Sequence, residues 1–188
     1  KRNKILIGRM VCRPTIQMKI YEDVLPKNLL KKCIEELRSS RDSHAWGISS
    51  LFWDDTLKVG LVGNVSMRHL PEELASEVHE VLGKYFSKIG DEFIYQYYIW
   101  NKMSGISSHY DGDHAEGGTL YLNDEWDSNW GGLFVWKDKN EKREYKFNAI
   151  CPKQNMLIIN DDTEMHLVTP VAPTIPYIRT TIQIWNQA

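Results

Sequence analysis

Two stretches of the chain carry apolar residues at the 3- and 4-residue spacing of one helix face, and most of the rest alternates over short runs. Leu30, Cys33, Ile34 and Leu37 form one stripe, predicting a helix over residues 26–38, with Pro26 suited to its first turn and Ser39-Ser40-Arg41-Asp42 ending the pattern. Leu74, Val78, Val81, Leu82 and Tyr85 form a second stripe over residues 71–88, where Glu72 and Glu73 favour the positive N-terminal end. Between the helices, residues 46–53 and 57–62 read as strands around an Asp54-Asp55 turn. Further strands are predicted at 93–100, 118–122, 132–136, 144–148, 156–159, 166–169 and 178–185. Regular short strands separated by Gly, Asn, Asp and Pro predict a mainly β fold with supporting helices (α+β in content), whose core is a double-stranded β-helix, or jelly roll. One domain is expected over residues 1–188, helix-bearing over about 1–92 and barrel-forming over about 93–186.

The last strand is oriented by its own contrast. Alternation puts Arg179, Thr181, Gln183 and Trp185 on one face and Ile178, Thr180, Ile182 and Ile184 on the other. The isoleucines are expected to pack beneath the helices, which turns Arg179 into the barrel. A buried arginine needs an anionic partner, because an unpaired buried charge is costly. A ligand carboxylate would meet that need.

Composition narrows the classes. At 42% hydrophobic and 26% charged residues the chain is an ordinary globular one, and its net charge of −2 gives no electrostatic footprint for a nucleic-acid backbone. No apolar run reaches membrane-spanning length, and the apolar part of Lys1–Gly8 is too short for a signal-peptide core. Cys12, Cys33 and Cys151 are odd in number and far apart, so no disulfide framework is expected. Cys33 falls on the helix stripe as a buried thiol, and a reducing, cytoplasmic setting is the expectation. Among seven tryptophans, Trp126, Trp130 and Trp136 lie near the candidate site and Trp185 on the last strand.

Among the histidines, His109-Tyr110-Asp111 stands out, because i and i+2 of a strand project to one side and could reach one metal ion. His166, opening a later predicted strand, is the best third ligand. Two imidazoles and one carboxylate on one face of an ion leave positions open, an arrangement diagnostic of iron(II) oxygenases. Arg179 follows, able to grip a carboxylate with two parallel hydrogen bonds. The plain alternatives are a strand histidine beside a turn aspartate, a core histidine and an internally paired arginine. His114 lies five residues from His109, on the opposite face of a continuous strand, and is expected at the surface or in a substrate-side loop; Asp113 beside it is an alternative carboxylate. Trp126 and Trp130 are expected to pack a loop, while His44, His69 and His79 need no function.

These residues carry a family resemblance over positions 93–186. His109-Tyr110-Asp111, Tyr121-Leu122-Asn123-Asp124-Glu125-Trp126, Gly131-Gly132, His166 through Val171, and Arg179 through Trp185 resemble the motifs of Fe(II)/2-oxoglutarate-dependent oxygenases, specifically the prolyl 4-hydroxylase branch. The resemblance implies His109, Asp111 and His166 as iron ligands, Arg179 as partner of the distal 2-oxoglutarate carboxylate, and the Tyr121 hydroxyl on that same carboxylate. It places Tyr98 or Trp100 near another pocket position. The cofactors implied are Fe(II), 2-oxoglutarate as co-substrate and O2, with ascorbate an optional accessory. The reaction implied is hydroxylation coupled to decarboxylation of 2-oxoglutarate to succinate and CO2. Asp111 favours hydroxylation, since related halogenases carry a small residue there. The segment between His166 and Arg179, with Pro170, Pro173 and Pro176, is longer than in several family members. Peptidyl proline, a free amino acid or another small molecule is the expected substrate, with no nucleic-acid or membrane partner; oligomeric state is left open. The rival readings are a zinc hydrolase, which leaves Arg179 unexplained, and a non-catalytic barrel binding a sugar or small anion.

Overall fold

The computed structural model describes residues 18–40, 45–88, 90, 92–112 and 114–187; Cys12, His44 and Asp113 lie outside them. Two antiparallel sheets make the architecture. The larger has seven strands: β1 (Lys19–Tyr21), β2 (Gly47–Ile48), β3 (Val65–His69), β4 (Glu92–Trp100), β6 (His114–Tyr121), β9 (Leu157–Asp161) and β11 (Arg179–Gln187). Their order is β1-β9-β6-β11-β4-β3-β2. The smaller sheet orders β5 (Ile106–His109), β10 (His166–Val168), β7 (Phe134–Trp136) and β8 (Asn148–Ile150) as β5-β10-β7-β8. This is the jelly-roll arrangement that the strand pattern predicts.

Helices α1 (Lys27–Ser39) and α2 (Glu72–Leu82) cover the outer face of the large sheet. Leu29, Leu30, Cys33 and Leu37 of α1, and Leu74, Val78 and Leu82 of α2, are buried in one apolar cluster with Leu120, Ile182 and Ile184. The isoleucine face of β11 thus packs where its alternation places it. The opposite face of the sheet joins a second cluster containing Tyr98, Trp100, Tyr121, Phe134 and Ile158, between the two sheets. Strand β11 sits between β4 and β6, so Arg179 pairs with Trp100 and Thr181 with both Tyr98 and Tyr121. That register gathers the inward residues of three strands into one place.

Several local expectations are corrected. The predicted strands at 46–53 and 57–62 reduce to Gly47–Ile48, followed by 3-10 turns at Ser49–Leu51 and Asp55–Lys58. The Asp54 side chain accepts the Thr56 backbone N–H at 2.8 Å and caps the second turn. Leu51, Phe52, Val59 and Val62 are exposed, so their apolar pattern has no sheet face to bury. Helix α2 stops at Leu82, and Gly83–Tyr85 forms a 3-10 turn instead of continuing to Lys88. The strand expected at 144–148 lies at Asn148–Ile150, because Glu141 pairs with both Arg143 and Lys146 and holds the preceding residues in a charged turn. Strands β1 and β3 lie outside the predicted runs, and β5 contains only His109 of the extended step expected over His109-Tyr110-Asp111.

The long segment before Arg179 is tied down by backbone hydrogen bonds. Val171 donates to Ser104 and accepts from Met103, and Ala172 donates to Trp130. Gly131 and Gly132 let this crossing happen, with φ of 68° and 63°. A Cβ on Gly131 would stand 2.0 Å from the Pro170 carbonyl oxygen.

Candidate active site

His109 ends β5 and pairs across the ladder with His166, which opens β10. Their ring centroids are 4.3 Å apart. Each Nδ1 faces a backbone carbonyl, His109 that of Ser107 at 2.7 Å and His166 that of Glu164 at 2.9 Å. A carbonyl can only accept, so each Nδ1 carries a hydrogen, and Nε2 is the nitrogen that can bind an ion once it gives up its own proton. Both Nε2 atoms turn to Asp111, at 3.3 Å from Oδ1 for His109 and 3.5 Å from Oδ2 for His166. Asp111 itself lies beyond the end of β5, in a turn closed by a hydrogen bond from the His114 N–H to the Asp111 carbonyl. The expected approach of His109 and Asp111 is realised through that turn rather than through strand alternation.

One ligand atom from each of the three residues falls within 4.8 Å of the others. Their side chains are 12%, 8% and 6% exposed in chain order. Burial disfavours the Asp111 carboxylate, yet the hydrogen bond and charge of His109, the charge of His166 and the Asn160 amide together lower its pKa to about 2. Burial also opposes charge on His109, but its bond to Asp111 prevails and raises the pKa above the ordinary 6.5. His166 goes the other way, lowered chiefly by burial. An ionised carboxylate between two carbonyl-oriented imidazoles is a donor set that fits a divalent ion.

These residues open onto a cleft of about 470 Å³, lined in addition by Trp53, Tyr98, Trp100, His114, Gln183 and Trp185. Among its described lining residues there is no lysine, arginine or glutamate. His114, expected at the surface or on a loop, instead opens β6 and lines the cleft, stacked on Trp185 with ring centroids 4.7 Å apart. His79 is on the polar face of α2 as expected, with its Nδ1 2.8 Å from the Tyr95 hydroxyl. Tyr98 lies in the cleft wall with its hydroxyl 3.2 Å from Ser49.

Arg179 is fully buried behind the cleft. Its guanidinium lies over the rings of Trp100, at 4.6 Å, and Tyr121, at 5.1 Å, and donates to the Tyr121 hydroxyl at a long 3.5 Å. Its Nε and Nη1 have no hydrogen-bond partner among the described residues. Buried charged donors without acceptors are rare, and their presence fits an anionic ligand group such as the distal carboxylate of 2-oxoglutarate. Gly132 and Trp126 close the other side, where a Cβ on Gly132 would meet Arg179 Cδ at 2.8 Å. Trp126 donates to the Gly131 carbonyl, which is the loop-packing role expected of it.

Asn160 escaped the sequence reading. It is a buried amide on β9, donating to Oδ2 of Asp111 at 2.8 Å. Its signal was present: in Met156-Leu157-Ile158-Ile159-Asn160, alternation points the asparagine the same way as the interior Met156 and Ile158.

The same chain fold recurs in solved structures. A prolyl 4-hydroxylase of Pseudomonas putida superposes with TM-score 0.65 at 13% identity, covering 90% of this chain and 91% of that one. A prolyl hydroxylase of Trichoplax adhaerens, solved with a peptide fragment of hypoxia inducible factor, gives 0.66 at 14% identity, covering 90% and 83%. The 2-oxoglutarate-dependent epimerase SnoN of nogalamycin biosynthesis gives 0.65 at 9% identity, covering 91% and 78%. No curated protein sequence matches the chain. Residues 94–187, half of the sequence, match the 2OG-Fe(II) oxygenase superfamily, and they contain every described cleft-lining residue except Trp53 and Leu57. The chain belongs to the 2OG-Fe(II) oxygenase superfamily, enzymes that use Fe(II), 2-oxoglutarate and O2.

Proposed function

We propose that the protein hydroxylates an uncharged segment of its substrate, with peptidyl proline the favoured class, and that His109, Asp111 and His166 hold the iron while Arg179 and Tyr121 hold 2-oxoglutarate. The observation that carries the reading is a three-residue divalent-ion donor set in a cleft that Trp100 also lines, with a buried guanidinium 4.6 Å over that Trp100 ring whose Nε and Nη1 lack acceptors among the described residues. Bound iron would supply the oxidising chemistry, coupling decarboxylation of 2-oxoglutarate to succinate and CO2 with oxidation of the substrate.

The chain's own contribution is placement. Ser107 and Glu164 carbonyls fix both imidazoles with Nε2 toward Asp111. Trp100 and Tyr121 sandwich the Arg179 guanidinium, so its planar fork is oriented before a carboxylate arrives. Trp53, Tyr98 and Trp185 wall the cleft with aromatic surface and limit water around the reacting group.

The cleft chemistry bears on the substrate. A free amino acid would bring an ammonium and a carboxylate, which need ionic partners if buried. The described cleft lining offers no lysine, arginine or glutamate, and the ionisable groups of the donor set are committed to the ion. Both charges vanish in a peptide bond, which supports a peptidyl residue over a free one. The test is succinate formation from 2-oxoglutarate with Fe(II) and O2, comparing proline-containing peptides with free proline. Stimulation by peptide and not by the free amino acid is expected. Equal stimulation by free proline would refute the substrate class, and no succinate under any condition would refute the reaction.

A further inference from the structure

Asp111 is the least anchored member of the donor set. His109 and His166 stand on paired strands and have their Nδ1 atoms held by carbonyls, whereas Asp111 lies past the end of β5. What fixes its carboxylate comes from the opposite sheet. Asn160 of β9 donates its side-chain N–H to Oδ2 at 2.8 Å, and the asparagine is only 3% exposed. Directly across the ladder from Asn160 stands Gly117 of β6. A Cβ there would lie 2.8 Å from Oδ2 of Asp111 and 3.4 Å from both terminal atoms of the Asn160 amide. The amide and the bare glycine together form a seat for one carboxylate oxygen.

We propose that Asn160 is a positioning residue for metal binding: it engages Oδ2 of Asp111, ties the turn after β5 to the larger sheet, and leaves Oδ1 as the oxygen offered to the ion. Gly117 supplies the room. The assignment rests on the reading of His109, Asp111 and His166 as the ligand set. An amide suits the task because it donates without adding charge. A carboxylate of the same shape would instead place an acceptor against an acceptor. Removal of the side chain would leave Oδ2 without its donor and the carboxylate free to turn. Outer groups that orient a metal ligand typically change affinity by about 10- to 100-fold.

The experiment is a manganese(II) titration of the whole chain, following the free ion by electron paramagnetic resonance, without 2-oxoglutarate or turnover. Wild type, Asn160→Ala, Asn160→Asp, Gly117→Ala and the benchmark His109→Ala are compared, with circular dichroism confirming the fold of each. Asn160→Ala is expected to bind about 10- to 100-fold more weakly. Asn160→Asp, which keeps the shape and loses the donor, should be at least as weak. Gly117→Ala should also weaken binding, by displacing the carboxylate while leaving Asn160 intact. If Asn160→Ala does not fold, the Asp and Gly117 variants decide. Equal or tighter binding by Asn160→Asp, alongside a loss in His109→Ala, overturns the positioning role and leaves the ligand set standing. Wild type binding no better than His109→Ala overturns both.

Discussion

Replacing Arg179 with methionine should make the ligand-free protein more stable and, at the same time, blind to 2-oxoglutarate. Nε and Nη1 of Arg179 are buried without acceptors among the described residues. At about 1–3 kcal/mol for each unsatisfied buried donor, the pair costs roughly 2–6 kcal/mol. Two ring faces at 4.6 and 5.1 Å offset part of this. Each such contact contributes about 0.5–2 kcal/mol, so a residual cost of roughly 1–2 kcal/mol remains. Methionine fills much of the same volume without a charge, and about 2–4 °C of melting temperature accompanies each kcal/mol at this chain length. Arg179→Met should therefore melt roughly 2–8 °C higher than wild type when no co-substrate is present. With manganese(II) held constant, 2-oxoglutarate at about 100 times its Kd should stabilise wild type by about 2.7 kcal/mol, or roughly 5–11 °C, and leave Arg179→Met unmoved. Differential scanning fluorimetry measures both. A lower melting temperature for the variant together with a retained 2-oxoglutarate response would refute the reasoning, since Arg179 would then be a structural cation and not the co-substrate anchor.

Three further outcomes follow from the same geometry. His109→Ala and His166→Ala should each abolish stoichiometric manganese binding in a metal analysis, while His79→Ala, which loses a bond to Tyr95 and ring contacts with Phe93 and Tyr95, should bind as wild type does; equal occupancy in all would remove the ligand assignment. Metal affinity should rise with pH, because the ion needs a neutral imidazole and His109 keeps its proton above the ordinary 6.5. The same raised pKa adds stability to the metal-free protein that is fully present below pH 6.5 and lost as pH rises through the folded value; manganese titrations that superimpose between about pH 6 and about pH 8.5 would contradict it. Gly132→Ala puts a side chain at φ 63° and 2.8 Å from Arg179 Cδ, so it should cost about 1–3 kcal/mol and raise the 2-oxoglutarate concentration needed for half-maximal succinate formation; unchanged values would show that Arg179 has room to move.

The sequence was most informative where alternation and chemistry coincided. On β11 the isoleucine and arginine faces predict the helix-covered outside and the enclosed Arg179 that the fold shows. The helix stripes were likewise legible, since a 3.6-residue period needs no knowledge of partners. His109, Asp111 and His166 could be proposed as a set, but not how they meet: Asp111 reaches the site from a turn, and spacing cannot distinguish that turn from a strand. His114 was misplaced for the same reason, because the count of five residues assumed one continuous strand where the chain reverses after His109. The segment from Trp46 to Val62 departs from its strand pattern because Leu51, Phe52, Val59 and Val62 are exposed, and pattern reasoning presumes burial. Asn160 is not singled out by the sequence, because a polar residue near the end of an apolar strand acquires meaning only through Asp111, in a turn 49 residues away in the chain, which is tertiary information.

The account is tested most directly by a crystal structure of the protein with manganese(II) and 2-oxoglutarate. It predicts one ion bound by Nε2 of His109, a carboxylate oxygen of Asp111 and Nε2 of His166, with the distal 2-oxoglutarate carboxylate on Nε and Nη1 of Arg179 and the Tyr121 hydroxyl. An ion held elsewhere, or 2-oxoglutarate bound with Arg179 still lacking an acceptor, would contradict it.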